Sequence, residues 1–149
     1  MKNCEIINPP FEDLYDMHTK FHKQKGTETI YKVTNFLYPD YNTIFNEMIN
    51  SGATINYIVS EDLLDKIRKD HRENFKAFIE TNMFKLYVYK EKIDFLFFTF
   101  DDFHILIGLF KRDGFFDNKY ILCSGTESVQ WGKDFFDYFL KDSTPINEL

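Results

Sequence analysis

The sequence lacks the excess of positive charge that nucleic-acid-binding domains usually carry. Its 18 Lys and Arg residues are outnumbered by 24 Asp and Glu residues, which gives a formal net charge of −6. The basic residues are scattered, and Lys23 and Lys25 come nearest to forming a cluster. Because affinity for a phosphate backbone comes mainly from clustered Lys and Arg, we expect that this chain does not hold DNA by itself.

The sequence also lacks long hydrophobic runs. No stretch approaches the about 18 uninterrupted apolar residues of a membrane-spanning helix, and the N-terminal residues contain no signal-peptide core. We therefore expect a cytoplasmic protein without a membrane partner.

Cysteine is scarce as well. Cys4 and Cys123 are the two cysteines of the sequence, and they have neither CxxC nor metal-site spacing. Buried free thiols are the favoured interpretation, although the sequence leaves a bridge between them open.

Common catalytic and metal-binding patterns are missing. Ser124 does not lie in a GxSxG motif, and no glycine-rich phosphate loop occurs. His18 and His22 are four residues apart on a predicted helix, but a zinc site needs further ligands and none lies nearby. Structural histidines are the favoured interpretation, and we predict neither a metal nor a cofactor.

The phospholipase D signature HxKxxxxD is incomplete in both of its possible registers. His18 and Lys20 match its first two positions, but Lys25 stands where the Asp is required and the segment is predicted to be helical, so this match is accidental. In the meander, only the last residue of the signature is matched. With that residue at Asp101, the signature would have His at position 94 and Lys at position 96, where the sequence has Asp94 and Leu96. A carboxylate and a leucine cannot supply covalent phosphoryl transfer. A relative of this fold with these residues would be non-catalytic.

Large aromatic residues are abundant, with 18 Phe and 9 Tyr. Many of them lie in the second half, where apolar runs are interrupted at Asp101-Asp102 and at the Asp113-Gly114 turn signal. Such runs favour strands joined by tight turns. We predict an antiparallel meander of three strands: Ile93–Phe100, Phe103–Phe110 and Phe115–Ser124.

The first half alternates strands and helices, which predicts parallel pairing through crossovers. The predicted strands are Cys4–Ile7, Thr29–Phe36, Thr54–Val59 and Phe84–Tyr89. The predicted helices run from Phe11 to Gly26, from Pro39 to Asn50, from Ser60 to about Thr81, and from a Thr126 cap through Phe139. Ser143–Leu149 is interpreted as a polar tail. The fold class is therefore α/β, with one mixed sheet, helices on both faces and a single domain over residues 1–149.

Several segments carry a family resemblance: GATINYIVSEDLLDKI, FKLYVYKEKI, FDDFHILIGLF, KRDGFFDN and SVQWGKDFFDYF. Together they resemble the effector domain of archaeal transcriptional regulators of the methanogenesis regulatory protein type. CEIINPPFEDLYDMHTKFHK and YPDYNTIFNEMINSG fit the same domain, so the resemblance covers nearly the whole chain. In such regulators a winged-helix DNA-binding domain normally precedes this one, and nothing here resembles its recognition helix. The resemblance implies a phospholipase-D-like sheet without the catalytic motif, and contact with DNA only through an attached winged helix.

We predict that the chain senses a small-molecule effector. In open sheets of this type, pockets form beyond the carboxyl ends of the parallel strands. That edge would contain Asn35 and Tyr38 after the second strand and Ser60 and Glu61 after the third. Residues of the meander would converge there, and the predicted ligand-binding residues are therefore Asn35, Tyr38, Ser60, Thr99, Asp101, Arg112, Asp117 and Trp131.

Two other functions stay open. One is a hydrolase of unfamiliar type on a phospholipase-D-like fold, which needs a nucleophile among Ser60, Cys123 and Ser124 with a histidine nearby in an open cleft. The other is a dimerisation module, since a homodimer is possible in either case. A pocket lined by Phe and Tyr with few polar groups would instead favour the sensor.

Overall fold

Eight strands form one mixed sheet in the computed structural model, which describes residues 4–7, 29–95, 97–100, 104–110 and 116–149. The strand order is β1-β7-β6-β5-β2-β3-β4-β8. β2 pairs with β3 and β3 with β4 in parallel, and every other neighbouring pair is antiparallel. The strands are β1 (Cys4–Ile7), β2 (Thr29–Thr34), β3 (Thr54–Ser60), β4 (Phe84–Tyr89), β5 (Phe97–Phe100), β6 (His104–Phe110), β7 (Phe116–Ser124) and β8 (Ser143–Ile146).

Four helices of the described residues cover the two faces of this sheet. They are α1 (Tyr41–Asn50), α2 (Glu61–Asp70), α3 (Arg72–Glu80) and α4 (Thr126–Leu140). The first three pack on one face, and α4 packs on the other. Strands buried on both faces need apolar side chains in both directions, which explains why β2 and β3 are rich in Ile and Val. Among the described residues, no helix is both long and apolar enough to cross a bilayer.

Aromatic rings fill the layer beneath α1, α2 and α3. Tyr41 stacks on Phe75 with 5.2 Å between ring centroids, and Phe45 lies edge-on to Tyr57 at 5.3 Å. The amide of Asn74 donates a hydrogen bond to the Tyr41 hydroxyl (2.8 Å), which also lies 2.9 Å from Nδ1 of His71. This buried tyrosine therefore has polar partners for its hydroxyl as well as apolar contacts for its ring.

The predicted fold class is confirmed, including the antiparallel order of β5, β6 and β7. Some element boundaries were wrong. The helix predicted from Ser60 to about Thr81 is two helices, because His71 has a non-helical φ of −134° between them. Gly125, and not Thr126, is the N-cap of α4. The helix predicted from Phe11 to Gly26 lies outside the described residues.

The C-terminal segment was also interpreted wrongly. Ser143–Ile146 forms β8, which pairs antiparallel with β4 and places Ile146 opposite Leu86. The segment is short and mostly polar because it forms an edge strand of the sheet, where Pro145 is tolerated. Its strand character depends on a partner that is distant in the sequence.

The cysteines form a disulfide, so the favoured interpretation as free thiols was wrong. Cys4 of β1 bonds to Cys123 of β7, and the two residues face each other in the strand register. Their sequence separation is 119 residues, so the bond closes nearly the whole chain into one loop. It fastens the four residues of an edge strand to the body of the sheet.

We predict that Cys4→Ser lowers the free energy of unfolding by about 2–4 kcal/mol under non-reducing conditions, because the unfolded chain regains the entropy that the cross-link removes. Chemical denaturation measures this loss. Wild-type protein with a reducing agent should unfold like the variant. Two titratable thiols in denatured, unreduced wild-type protein would contradict the disulfide.

Candidate functional site

A cleft of about 680 Å³ lies at the carboxyl ends of the three parallel strands. We call it the carboxyl-edge cleft. Each of β2, β3 and β4 delivers the chain to this edge, and the residues that follow them form its walls. The lining residues are Asn35, Phe36, Ser60, Glu61, Asp62, Lys90, Glu91, Lys92 and Ile93.

The junction of β3 and α2 forms the central wall. Ser60 has extended backbone dihedrals, and its hydroxyl oxygen accepts a hydrogen bond from the Leu63 N–H at 3.2 Å. This is the contact of a serine N-cap. Glu61 and Asp62 follow in the first turn of α2, where the positive end of the helix dipole stabilises carboxylates. The wall therefore holds two acidic groups at the start of a helix.

The segments after β2 and β4 are joined by one side-chain hydrogen bond. The Asn35 amide donates to the carbonyl oxygen of Ile93 at 3.3 Å. Asn35 is itself oriented by a turn in which the Thr34 hydroxyl accepts from the Phe36 N–H at 2.9 Å. Phe36 and Ile93 thereby form the apolar part of the lining.

Charges of both signs lie around the cleft. Lys90 and Lys92 follow β4, and Glu61 and Asp62 begin α2. Lys92 forms an ion pair with Asp94 at 3.2 Å, between side chains that are 86% and 76% exposed, so this pair contributes little to stability. Lys90 forms no ion pair with any described residue. The cleft thus offers separate cationic and anionic groups.

A smaller cleft of about 410 Å³ adjoins the first and shares Glu61, Asp62 and Lys90 with it. Its remaining walls come from the exposed side of α2 and from Thr144 and Ile146 of β8. The strand that the sequence did not predict therefore contributes to this edge.

Tyr38 does not line either cleft. Its ring packs edge-on against Phe36 at 5.0 Å, and its hydroxyl lies close enough to that of Tyr120 in β7 for the two groups to affect each other's pKa. Burial raises the pKa of Tyr38 far above its usual value, and burial also raises the pKa of Tyr120 to about 12. Both hydroxyls stay protonated at neutral pH, so the pair connects the loop after β2 to the antiparallel half of the sheet.

Of the eight predicted ligand-binding residues, the structure brings two together, since Asn35 and Ser60 line the same cleft. Trp131 lies on α4, on the opposite face of the sheet, where it stacks on Phe135 at 5.1 Å. Thr99 lies in β5 opposite Lys32, and Asp117 lies in β7. Asp101 and Arg112 lie outside the described residues, and their role stays a prediction.

Sequence reasoning missed most of the wall that follows β4. Lys90, Glu91, Lys92 and Ile93 line the cleft, although none was predicted as a ligand-binding residue. The signal was available, because β4 was predicted correctly and parallel neighbours end at the same edge. The cleft also differs from the aromatic pocket expected of a sensor, since most of its lining residues are polar or charged.

Among the described residues, no candidate nucleophile shares either cleft with a histidine. Cys123 is in the disulfide, and Ser60 caps α2. Ser124 is directly opposite His104 in the strand register, but neither residue lines either of the two clefts. Among the described residues, no group of three or more His, Cys, Asp or Glu side chains is placed to hold a metal ion.

A family model agrees with the resemblance seen in the sequence. The model of the methanogenesis regulatory protein FilR1, middle domain, matches residues 12–142. The chain belongs to the FilR1 middle-domain family. Its family is thus one of transcription regulators of methanogenesis. No curated protein sequence matches the chain.

Solved structures share the fold of this FilR1-type domain at low sequence identity. TrmBL2, an archaeal chromatin protein, superposes with a TM-score of 0.73 at 9% identity, over 98% of this chain and 55% of that one. The phospholipase D family member Nuc from Salmonella typhimurium superposes with a TM-score of 0.66 at 11% identity, over 97% and 98% of the two chains. Phosphatidylserine synthase from Haemophilus influenzae reaches 0.57 at 12% identity, over 81% and 34%. The chain therefore has a phospholipase-D-like fold and spans about half of TrmBL2.

The tyrosine pair predicts a pH dependence. A tyrosine whose pKa is raised by folding stabilises the protein below the unfolded-state pKa of about 10, and this contribution is lost as the pH rises through the folded-state pKa. We expect the free energy of unfolding to fall above about pH 10, and to fall less steeply in Tyr38→Phe.

Urea denaturation of both proteins at pH values from about 8 to about 11 measures this difference. Tyr138→Phe is the matched control, because Tyr138 is 55% exposed, and its dependence on pH should follow the wild type. Equal slopes for Tyr38→Phe and wild type above pH 10 would contradict the assignment.

Proposed function

We propose that this chain is the effector-sensing domain of a FilR1-type transcription regulator, and that it binds a small molecule in the carboxyl-edge cleft without catalysis. The observation that supports this most is the cleft itself, which lies where ligands bind in open α/β sheets and is walled by the ends of three parallel strands. Its volume is in the range that small-molecule sites have. Family membership supports the regulatory role.

The ligand that fits these walls is small, polar and charged at both signs. Lys90 is available to a carboxylate or phosphate, because it has no ion-pair partner among the described residues. Glu61 and Asp62, on the neighbouring wall, are suited to an ammonium group. Phe36 and Ile93 offer a limited apolar surface between them. An amino-acid-like metabolite has a group for each of these three parts of the cleft: a carboxylate, an ammonium group and a small apolar side chain. A long acyl chain would provide no partner for the charged groups of Lys90, Glu61 and Asp62.

The competing hydrolase function has one supporting observation, the full-length fold likeness to Nuc. At 11% identity that likeness concerns the fold, and function depends on the site. Asp94, which occupies the histidine position of the signature, is exposed and paired with Lys92. No histidine lines either described cleft. These observations favour a non-catalytic domain.

Contact with DNA is proposed to occur through a winged-helix domain of the full regulator. The net charge of −6 supports this division of roles, because the electrostatic part of DNA binding needs an excess of Lys and Arg. Binding of an effector would then change the DNA affinity of the winged-helix domain, either because this domain changes shape or because the pairing between two copies of the regulator changes.

A thermal-shift screen of the purified chain with amino acids, dicarboxylates and diamines tests the ligand class. A ligand present at 100 times its dissociation constant should stabilise the protein by about 2.7 kcal/mol. Lys90→Gln should weaken ligand binding by about 1.5–3 kcal/mol, because a hydrogen bond to a charged group is lost, and should therefore remove most of that stabilisation at the same ligand concentration. Glu61→Gln should weaken it for ligands that carry an ammonium group.

Lys85→Gln is the matched control for the charge change. Lys85 is an exposed lysine of β4 that lines neither cleft, so its substitution should leave ligand stabilisation unchanged. If Lys85→Gln and Lys90→Gln weaken binding equally, the cleft is not the site. If members of all three compound classes leave the melting temperature unchanged, the proposed ligand class is wrong.

The expected lack of phosphodiesterase activity is tested separately. We expect no turnover of a generic phosphodiester such as bis-p-nitrophenyl phosphate, because Asp94 and Leu96 stand where the signature needs His and Lys. Steady hydrolysis that is lost on His104→Ala or Ser124→Ala would establish an enzyme instead. Activity that these substitutions leave unchanged would point to a contaminant.

A further inference from the structure

One wall of the carboxyl-edge cleft is an irregular segment, Lys90–Phe95, between β4 and β5. Within the described part of the chain, its backbone makes no hydrogen bond outside the strand ladder except the one that Ile93 accepts from Asn35. The Lys92–Asp94 ion pair joins two exposed side chains of the segment itself. Within the described residues, this segment is therefore held by one side-chain hydrogen bond from outside it and by the packing of its apolar side chains.

The apolar side chains of the segment also pack into the core on the α4 side of the sheet. Ile93 is only 6% exposed and belongs to the core that also contains Val33, Ile58, Phe136 and Phe139. Phe95 packs edge-on against Phe139 at 5.6 Å and tilted against Phe135 at 5.8 Å. The segment that forms one wall of the cleft thus also packs against α4.

The ring contacts continue along α4 to the surface. Phe135 stacks on Trp131 with 5.1 Å between centroids and an interplanar angle of 10°. Trp131 is 38% exposed, and it is the only tryptophan of the sequence. A continuous series of contacts therefore leads from the cleft wall through Ile93, Phe95 and Phe135 to a partly exposed indole.

We infer that the Lys90–Phe95 segment is the regulatory element of this domain, which transmits occupancy of the carboxyl-edge cleft to α4. The inference rests on the proposed function of the cleft. A ligand that takes the Asn35 amide, or that displaces Ile93, breaks the hydrogen bond between Asn35 and the Ile93 carbonyl. Phe95 then shifts against Phe135 and Phe139, and the surface of α4 around Trp131 changes. Asn35 positions the Lys90–Phe95 segment through its hydrogen bond to Ile93, and Phe95 is the residue through which the segment contacts α4.

The coupling can be tested without knowing the ligand, because Trp131 is a built-in fluorescent reporter. Asn35→Ala removes the donor and should mimic wall release, giving a red-shifted Trp131 emission and stronger acrylamide quenching. Asn35→Asp also lacks the donor and serves if the alanine variant does not fold. Asn46→Ala is the matched control, because the Asn46 amide donates to Asn42 on the exposed side of α1, and it should leave the emission unchanged.

The decisive measurement repeats Asn35→Ala in a Phe95→Leu background. Leucine keeps an apolar side chain but removes the ring contacts with α4, so the response of Trp131 to Asn35→Ala should be lost or strongly reduced. An unchanged Trp131 signal in Asn35→Ala and Asn35→Asp would overturn the inference. An equal response with and without Phe95 would also overturn it. The ligand screen of the cleft is independent, so the coupling and the binding site can fail separately.

Discussion

The parallel pairing of β2, β3 and β4 is the constraint on which the rest of the structure depends. Strands that run in the same direction need crossover connections, and both crossovers advance the same way across the sheet, from β2 to β3 and from β3 to β4. Because such crossovers are right-handed, α1, α2 and α3 must lie on one face. The other face has to be covered from elsewhere in the chain, and α4 covers it. The same pairing brings Asn35, Ser60 and Lys90 to one edge.

The two covering layers differ in how firmly their rings are held. Beneath α1 to α3, Phe75, Phe78 and Phe84 are fully or almost fully buried, and each contacts several other rings. Displacing such rings opens cavities, which is costly in a close-packed core. Under α4, Phe95 and Phe135 are half-buried and Trp131 is exposed in part. Phe136 and Phe139 of α4 are buried, so among the described rings it is those from Phe95 through Phe135 to Trp131 that are less deeply buried than the rings beneath α1 to α3.

The sequence was informative where local pattern and burial agree. Ile and Val in β2 and β3 and the apolar stripe of α2 predicted the core, because burial on a known face dictates residue type. Partners distant in sequence were not predictable in this way. Cys4 and Cys123 could be judged only once β1 and β7 were known to be neighbours, and Thr144 and Ile146 became strand residues only through pairing with β4.

The candidate site was predictable to the extent that it follows from topology. Asn35 and Ser60 were found because they follow parallel strands. Lys90, Lys92 and Ile93 were missed although they follow β4, because the prediction used only the residues after the second and third strands and Ile93 looks like the start of a strand. Trp131 was expected at the cleft, but α4 lies on the other face. Which face of the sheet α4 covers depends on the order of the strands, and the residue pattern of a single sequence does not reveal that order.

In a catalytic domain with this phospholipase-D-like fold, a reacting group would have to lie in the Lys90–Phe95 segment. The first position of the signature falls at Asp94, inside this segment. A catalytic group has to be fixed by packing and by hydrogen bonds from its surroundings. Asp94 is instead 76% exposed, and its partner Lys92 is more exposed still. An exposed carboxylate whose described partner is a still more exposed lysine is poorly suited to holding a reacting group in place, so the surroundings of Asp94 argue against a catalytic role at this position.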